Sequence, residues 1–125
     1  MSTILFSGRF DKPHLGHLIT IQRLMRQYDM VVVVVLDYPE ANYDIDFRMN
    51  VLNEALLNSK GSFIITKNET NFGEITDEEL EEFPCFQYYG SGNKKVLKHI
   101  KSLGGNTIVV YVPRYPGYSA SKEED

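Results

Sequence analysis

The chain has 125 residues, a formal net charge of −4 and one cysteine, Cys85. That length supports a single hydrophobic core, so residues 1–125 read as one domain; the acidic balance excludes a surface built to neutralise a nucleic-acid backbone, which needs clustered Lys and Arg. One cysteine excludes an intrachain disulfide and a thiolate metal cluster, and the longest apolar run, Met30 to Leu36, falls far short of the roughly 20 residues that span a bilayer. With no signal-peptide pattern at the N-terminus, these features predict a cytoplasmic protein with no membrane or nucleic-acid partner.

Ile4-Leu5-Phe6 is a short apolar run stopped by Ser7-Gly8. From Leu15 the apolar residues Leu18, Ile21, Leu24 and Met25 recur at helical spacing to about Tyr28, so the chain opens strand, turn, helix. Met30 to Leu36 is almost pure valine without polar alternation, the pattern of a strand covered on both faces. Between Ile45 and Leu57, Phe47, Val51, Leu52, Ala55 and Leu56 again recur as on a helix, and Ser59-Lys60-Gly61 separates them from the strand Phe63-Ile64-Ile65. Thr76 to Glu82 reads as a solvated acidic face with a turn or two of helix. Cys85 to Tyr89 is the expected fourth strand, Gly92 to Leu103 the next helix and Thr107 to Val112 the fifth strand. Strands alternating with helices in this way predict an α/β, Rossmann-like domain: a five-stranded parallel sheet flanked by helices, with a ligand crevice at the carboxyl ends of the strands.

The chemistry concentrates in Ser7-Gly8-Arg9-Phe10-Asp11-Lys12-Pro13-His14-Leu15-Gly16-His17, where the first strand hands over to the first helix. Gly8 permits a tight turn, Gly16 permits close approach of a ligand, and amides at a helix start face an anion. His14 and His17, three apart, can project from one face toward the same phosphate and stabilise charge that grows during attack on the α-phosphorus of a triphosphate. Lys12 and Asp11 lie in the same turn, the lysine as a possible phosphate contact and the aspartate as a cap or an orienting group. Taken by spacing alone, such a histidine pair is also compatible with capping or surface roles, and a zinc site would have to recruit Cys85 and His99.

These residues resemble the nucleotidyltransferase superfamily with the signature G-x-F-D-x-x-H-x-G-H, matched by Gly8, Phe10, Asp11, His14, Gly16 and His17. A second stretch, Arg114-Tyr115-Pro116-Gly117-Tyr118-Ser119-Ala120-Ser121, is similar to the superfamily's R-x-x-G-I-S loop. Gly90-Ser91 resembles its G-S-D loop without the aspartate, and Arg48 the arginine of its E-R-x-x-M helix without the glutamate. The resemblance implies transfer of a nucleoside monophosphate, from ATP in the preferred reading, to a phosphorylated small molecule such as nicotinamide mononucleotide, with release of pyrophosphate. It implies His14, His17 and Arg114 as catalytic groups. Ser7, Gly8, Arg9, Phe10, Gly16, Gly90, Ser91, Ser119 and Ser121 are implied as the nucleotide site, and Lys12 and Arg48 as further phosphate or acceptor contacts. Mg2+ would arrive on the triphosphate, with no metal held by the protein alone. CTP with a phospho-alcohol such as glycerol 3-phosphate is the alternative pair. After Ser121 the superfamily's terminal helix is replaced by Lys122-Glu123-Glu124-Asp125, so a nucleotide-binding subunit without turnover, or a homo-oligomer that completes the site, is the further alternative.

Overall fold

The structure, a computed structural model, describes residues 1–113. Its elements run β1 (Thr3–Gly8), α1 (Leu15–Gln27), β2 (Met30–Leu36), α2 (Ile45–Leu56), β3 (Phe63–Asn68), α3 (Asp77–Leu80), β4 (Tyr88–Ser91), α4 (Lys94–Ser102) and β5 (Ile108–Tyr111). All the strand pairings are parallel and the spatial order is β3-β2-β1-β4-β5. The expected α/β sheet is therefore present. The order grows outward from β1 in two directions, which puts a switch point between β1 and β4, where a crevice opens at the carboxyl edge of such a sheet.

The valine run occupies β2 as its composition requires, with Val31 to Val35 at no more than 1% exposure. Its alternate side chains serve two cores. Val31, Val33 and Val35 join Ile4, Phe6 and Phe10 against Ile21, Leu24 and Met25 of α1 and Leu52 and Leu56 of α2. Val32 and Val34 join Leu5, Phe72, Ile75, Leu80 and Tyr89 against Leu97 and Ile100 of α4. Among the described residues no helix is long and apolar enough to cross a membrane.

Several boundaries differ from the sequence reading for physical reasons. β4 starts at Tyr88 rather than Cys85, because pairing with β1 begins at Ile4 opposite Tyr88 and Cys85 lies exposed before it. α4 starts at Lys94 rather than Gly92, with the Asn93 side chain accepting from the Lys95 amide as its N-cap. The acidic segment is only partly solvated: Leu80 is a core residue, and a Thr76–Glu79 capping box starts the four-residue α3. On α2 the inward stripe is Arg48, Leu52 and Leu56, while Phe47 is 50% exposed. An arginine thus takes a core position that periodicity gives to an apolar residue, and its hydrogen bonds explain why.

Candidate active site

At the switch point lies a crevice open to solvent, lined by Ser7, Gly8 and Arg9 at the end of β1, Leu36 at the end of β2, Asn71 and Phe72 beyond β3, and Ser91 and Asn93 at the end of β4. Four of the residues expected to touch nucleotide, Ser7, Gly8, Arg9 and Ser91, are brought together here. Ser7 and Ser91 are hydrogen-bonded within the protein. The hydroxyls of Ser7 and Tyr89 share a hydrogen bond, and Tyr89 is itself buried with its ring stacked on Phe72 at 5.3 Å. Ser91 accepts from the Asn93 amide at 3.1 Å and so leads the chain into α4.

His14 and His17 are not among the lining residues; they form the first turn of α1, at the end of the loop that begins with Arg9. His14 is the N-cap. Its Nδ1 accepts from the Gly16 amide at 3.1 Å, while Nδ1 of His17 accepts from the His14 amide at 3.3 Å, a capping box made of two imidazoles. A backbone N–H can only donate, so each Nδ1 is the unprotonated nitrogen, and each neutral ring carries its hydrogen on Nε2. The rings stack at 3.8 Å with 21° between planes, and Phe10 backs His17 edge-on at 5.0 Å. The capping contacts therefore fix both rings, with each hydrogen on the nitrogen remote from the cap; His14 is half-buried, while His17, at 6% exposure, has its Nε2 enclosed. Burial pushes the His14 imidazole below its usual value, which favours this neutral donor form.

The amides expected to meet an anion are largely used inside the helix start. Besides Gly16, the His17 and Leu18 amides donate to the His14 carbonyl at 3.0 and 3.3 Å. The Gly16 carbonyl accepts from Thr20 Oγ1 at 2.9 Å. Gly16 thus serves the cap. The Phe10 side chain, at 1% exposure, is a core residue with only its backbone in the turn. Gly90 is also a packing residue: a Cβ there would lie 2.9 Å from Val112 Cγ2 and 3.1 Å from Ile4 Cδ1, inside the sheet core.

Arg48 does not reach the crevice. It is fully buried, donating from Nε to the Tyr43 carbonyl at 2.8 Å and from Nη1 to the carbonyls of Arg9 and Leu36 at 2.7 and 2.8 Å. Asp11, 2% exposed, makes the reciprocal contacts, accepting from Tyr38 Oη at 2.7 Å, from the amide and side chain of Asn42 at 2.8 and 3.1 Å, and from the Tyr43 amide at 3.0 Å. Burial alone raises the Asp11 carboxyl, but the hydrogen bonds from Asn42, Tyr38 and Tyr43 and the Arg48 charge outweigh it and hold the group below the usual carboxylate value. For Tyr38, burial together with the Asp11 carboxylate pushes the phenol up to about 12. The Arg9 guanidinium lies 5.1 Å from the Tyr38 ring centroid. Lys12 is exposed, and both it (φ 75) and Phe10 (φ 47) occupy the left-handed backbone region.

Sequence reasoning missed Asn71, Phe72 and Asn93 as lining residues, since they come from loops without a recognisable motif. It also missed the Asp11–Tyr38–Asn42 contacts, which join segments far apart in the chain. Arg114, Ser119 and Ser121 lie outside the described residues. The separate zinc idea does not assemble: His99 Nε2 is bonded to the Ile75 carbonyl at 2.7 Å, Cys85 is exposed, and no group of three His, Cys, Asp or Glu side chains among the described residues could hold a metal ion.

A parallel sheet with its crevice at the switch point defines a doubly wound α/β protein, here with two stacked imidazoles capping the first helix. The cytidylyltransferase-like family matches residues 5–79, and the chain belongs to that family. Phosphopantetheine adenylyltransferase of Natranaerobius thermophilus is 50% identical over 42 residues, which make up 34% of this chain and 26% of that relative. The chain therefore spans about a quarter of that relative's length. Among solved structures, the lipopolysaccharide core biosynthesis protein of Thermoplasma volcanium GSS1 has a TM-score of 0.63 at 22% identity, covering 92% of this chain and 98% of that one. A bifunctional NMN adenylyltransferase/ADP ribose pyrophosphatase of Francisella tularensis, solved with AMP and a manganese ion, reaches 0.68 at 14% identity, covering 94% of this chain and 38% of that one. At these identities both show the fold alone.

Proposed function

We propose that the protein is an adenylyltransferase that moves AMP from ATP to a phosphorylated small molecule and releases pyrophosphate. The observation that carries this reading is the capping box that fixes both His14 and His17 as Nε2–H donors in a cytidylyltransferase-like chain. An oxygen of the acceptor phosphate attacks the α-phosphorus of ATP, the bond to the β-phosphate oxygen breaks, and pyrophosphate leaves. No covalent enzyme intermediate is required. Negative charge rises on the α-phosphoryl oxygens and on the leaving oxygen, and the two oriented donors stabilise it more in the transition state than in the ground state. Arg9, with Arg114 as the expected second arginine, is assigned to the phosphates as a cationic donor, and Ser91, which like Arg9 lines the crevice, is assigned to the nucleoside.

Mg2+ enters as part of the substrate, bridging the triphosphate. The donor set fits that route: the Asp11 carboxylate is committed to four hydrogen-bond donors, leaving it poorly suited to a cation. The preference for ATP is supported by the adenylyltransferase name of the 50%-identical relative, and that name adds phosphopantetheine to the candidate acceptors.

The test is pyrophosphate release with Mg2+, crossing ATP and CTP against nicotinamide mononucleotide, phosphopantetheine, glycerol 3-phosphate and a pool of phosphorylated metabolites. ATP-dependent release is expected. Removing one donor by His14→Ala or His17→Ala is expected to lower kcat by about 10²–10³. Release with CTP alone would move the protein to the cytidylyl alternative. Thermal stabilisation by nucleotide without release from any pair would favour the non-catalytic subunit.

A further inference from the structure

We propose that Arg48 and Asp11 form a buried clamp of positioning residues, fixing the β1–α1 turn so that Arg9 and the imidazoles of His14 and His17 are preset for a nucleoside triphosphate. The proposal rests on the nucleotidyltransferase reading above. The two residues grip in opposite directions. Arg48, from α2, holds the carbonyls of Arg9 and Leu36, both residues of the crevice wall, and that of Tyr43. Asp11, from the turn, holds the amides of Asn42 and Tyr43 and the Tyr38 hydroxyl. The β1–α1 turn and the segment from Leu36 to Tyr43 are thereby cross-linked at both ends into one unit.

Two observations separate positioning from packing. Helix α2 continues inward from Arg48 with Leu52 and Leu56, so an apolar residue at 48 would extend the core without the desolvation that a buried guanidinium incurs. The arginine spends its donors on carbonyls of the crevice wall. Secondly, Asp11 sits between the two left-handed residues, Phe10 and Lys12, a conformation that non-glycine residues leave when they are not held. Its contacts hold the turn in that shape and set where Phe10 meets His17. Tyr38 links both halves, donating to Asp11 while its ring lies beneath the Arg9 guanidinium. Donors held in this way need no reorganisation when the triphosphate arrives.

The variants that test the clamp are Tyr38→Phe, which removes one hydroxyl from a half-buried ring, and Arg48→Lys, which keeps the charge and loses the three-way grip. Each is compared with wild type by thermal melting, by calorimetric titration with Mg-ATP and Mg-CTP, and by 15N shifts of the histidine rings. Wild-type rings are expected to show the single Nε2–H form. Tyr38→Phe is expected to stay folded, to weaken triphosphate binding about tenfold, the lower end of the worth of one hydrogen bond to a carboxylate, and to shift the ring signals toward mixed tautomers. Arg48→Lys is expected to weaken binding about ten- to hundredfold, as a misplaced site does. Folded variants with wild-type ring signals and wild-type affinity would overturn the clamp. If the wild-type protein binds neither nucleotide, it is the nucleotidyltransferase reading that fails, and the ring signals by themselves then support or overturn the clamp.

Discussion

The two rims of the crevice are built on different physical plans. The turn of the β4 rim is short and locally satisfied: Ser91 accepts from the amide two residues on, and Asn93 caps the helix that follows. The β1 rim is longer, carries two left-handed non-glycine residues, and is held by bonds that reach 27 to 39 positions along the chain. A local rim tolerates change in the rest of the molecule. A rim fastened from a distance transmits damage at Arg48 or Asp11 straight to the site, which makes the β1 side the sensitive one.

The largest break in that contrast comes from Arg48→Met. It leaves three part-buried carbonyls without their donor and removes the positive charge that helps hold the Asp11 carboxyl low, an expected loss of about 3–5 kcal/mol in urea unfolding. Gly90→Ala probes the packing beneath the β4 rim. Its methyl group would press on Val112 and Ile4, and urea unfolding is expected to show about 1–3 kcal/mol of overpacking with the β1 rim undisturbed. A variant that instead keeps its stability and loses only nucleotide binding would return Gly90 to the ligand site.

How much of this was legible in the sequence follows the same division. The β1–α1 turn announced itself through closely spaced glycines and histidines, and the valine run gave the covered strand β2, because both signals are local. The donor form of the histidines was not legible, since it depends on which amide each Nδ1 meets. The sequence offers Arg48 as a phosphate or acceptor contact, because periodicity carries no information about carbonyls converging from the β1–α1 turn and from the segment between Leu36 and Tyr43. Gly90 looked like a ligand glycine for a related reason: the close approach of Val112 and Ile4 exists only once β4 has paired with β1 and β5. Residues 71–72 and 93 line the crevice through topology alone, with no motif to mark them.

A smaller effect sharpens the β4 side. Asn93→Ala removes the N-cap of α4 and is expected to lower stability by about 1 kcal/mol, read by thermal melting, with the histidine ring signals unchanged because nothing on the β1 rim depends on it.

The last prediction concerns pH, and its sign follows from the cap. The His14 imidazole is held below its ordinary value of 6.5 by burial, so between that value and the folded one the unfolded chain binds more protons than the native protein. Stability is therefore fully present above about pH 6.5 and falls as pH drops below it, until the folded-state value is passed. Protonation also places a hydrogen on Nδ1, the atom that must accept from the Gly16 amide, so the same proton undoes the N-cap of α1. His14→Asn separates the two effects, since asparagine accepts at an N-cap and does not titrate. Urea unfolding from pH 8 to 5 is expected to give a smaller loss of stability for His14→Asn than for wild type. Equal slopes would mean that the acid sensitivity arises elsewhere and that the capping nitrogen of His14 is not where the first rim yields.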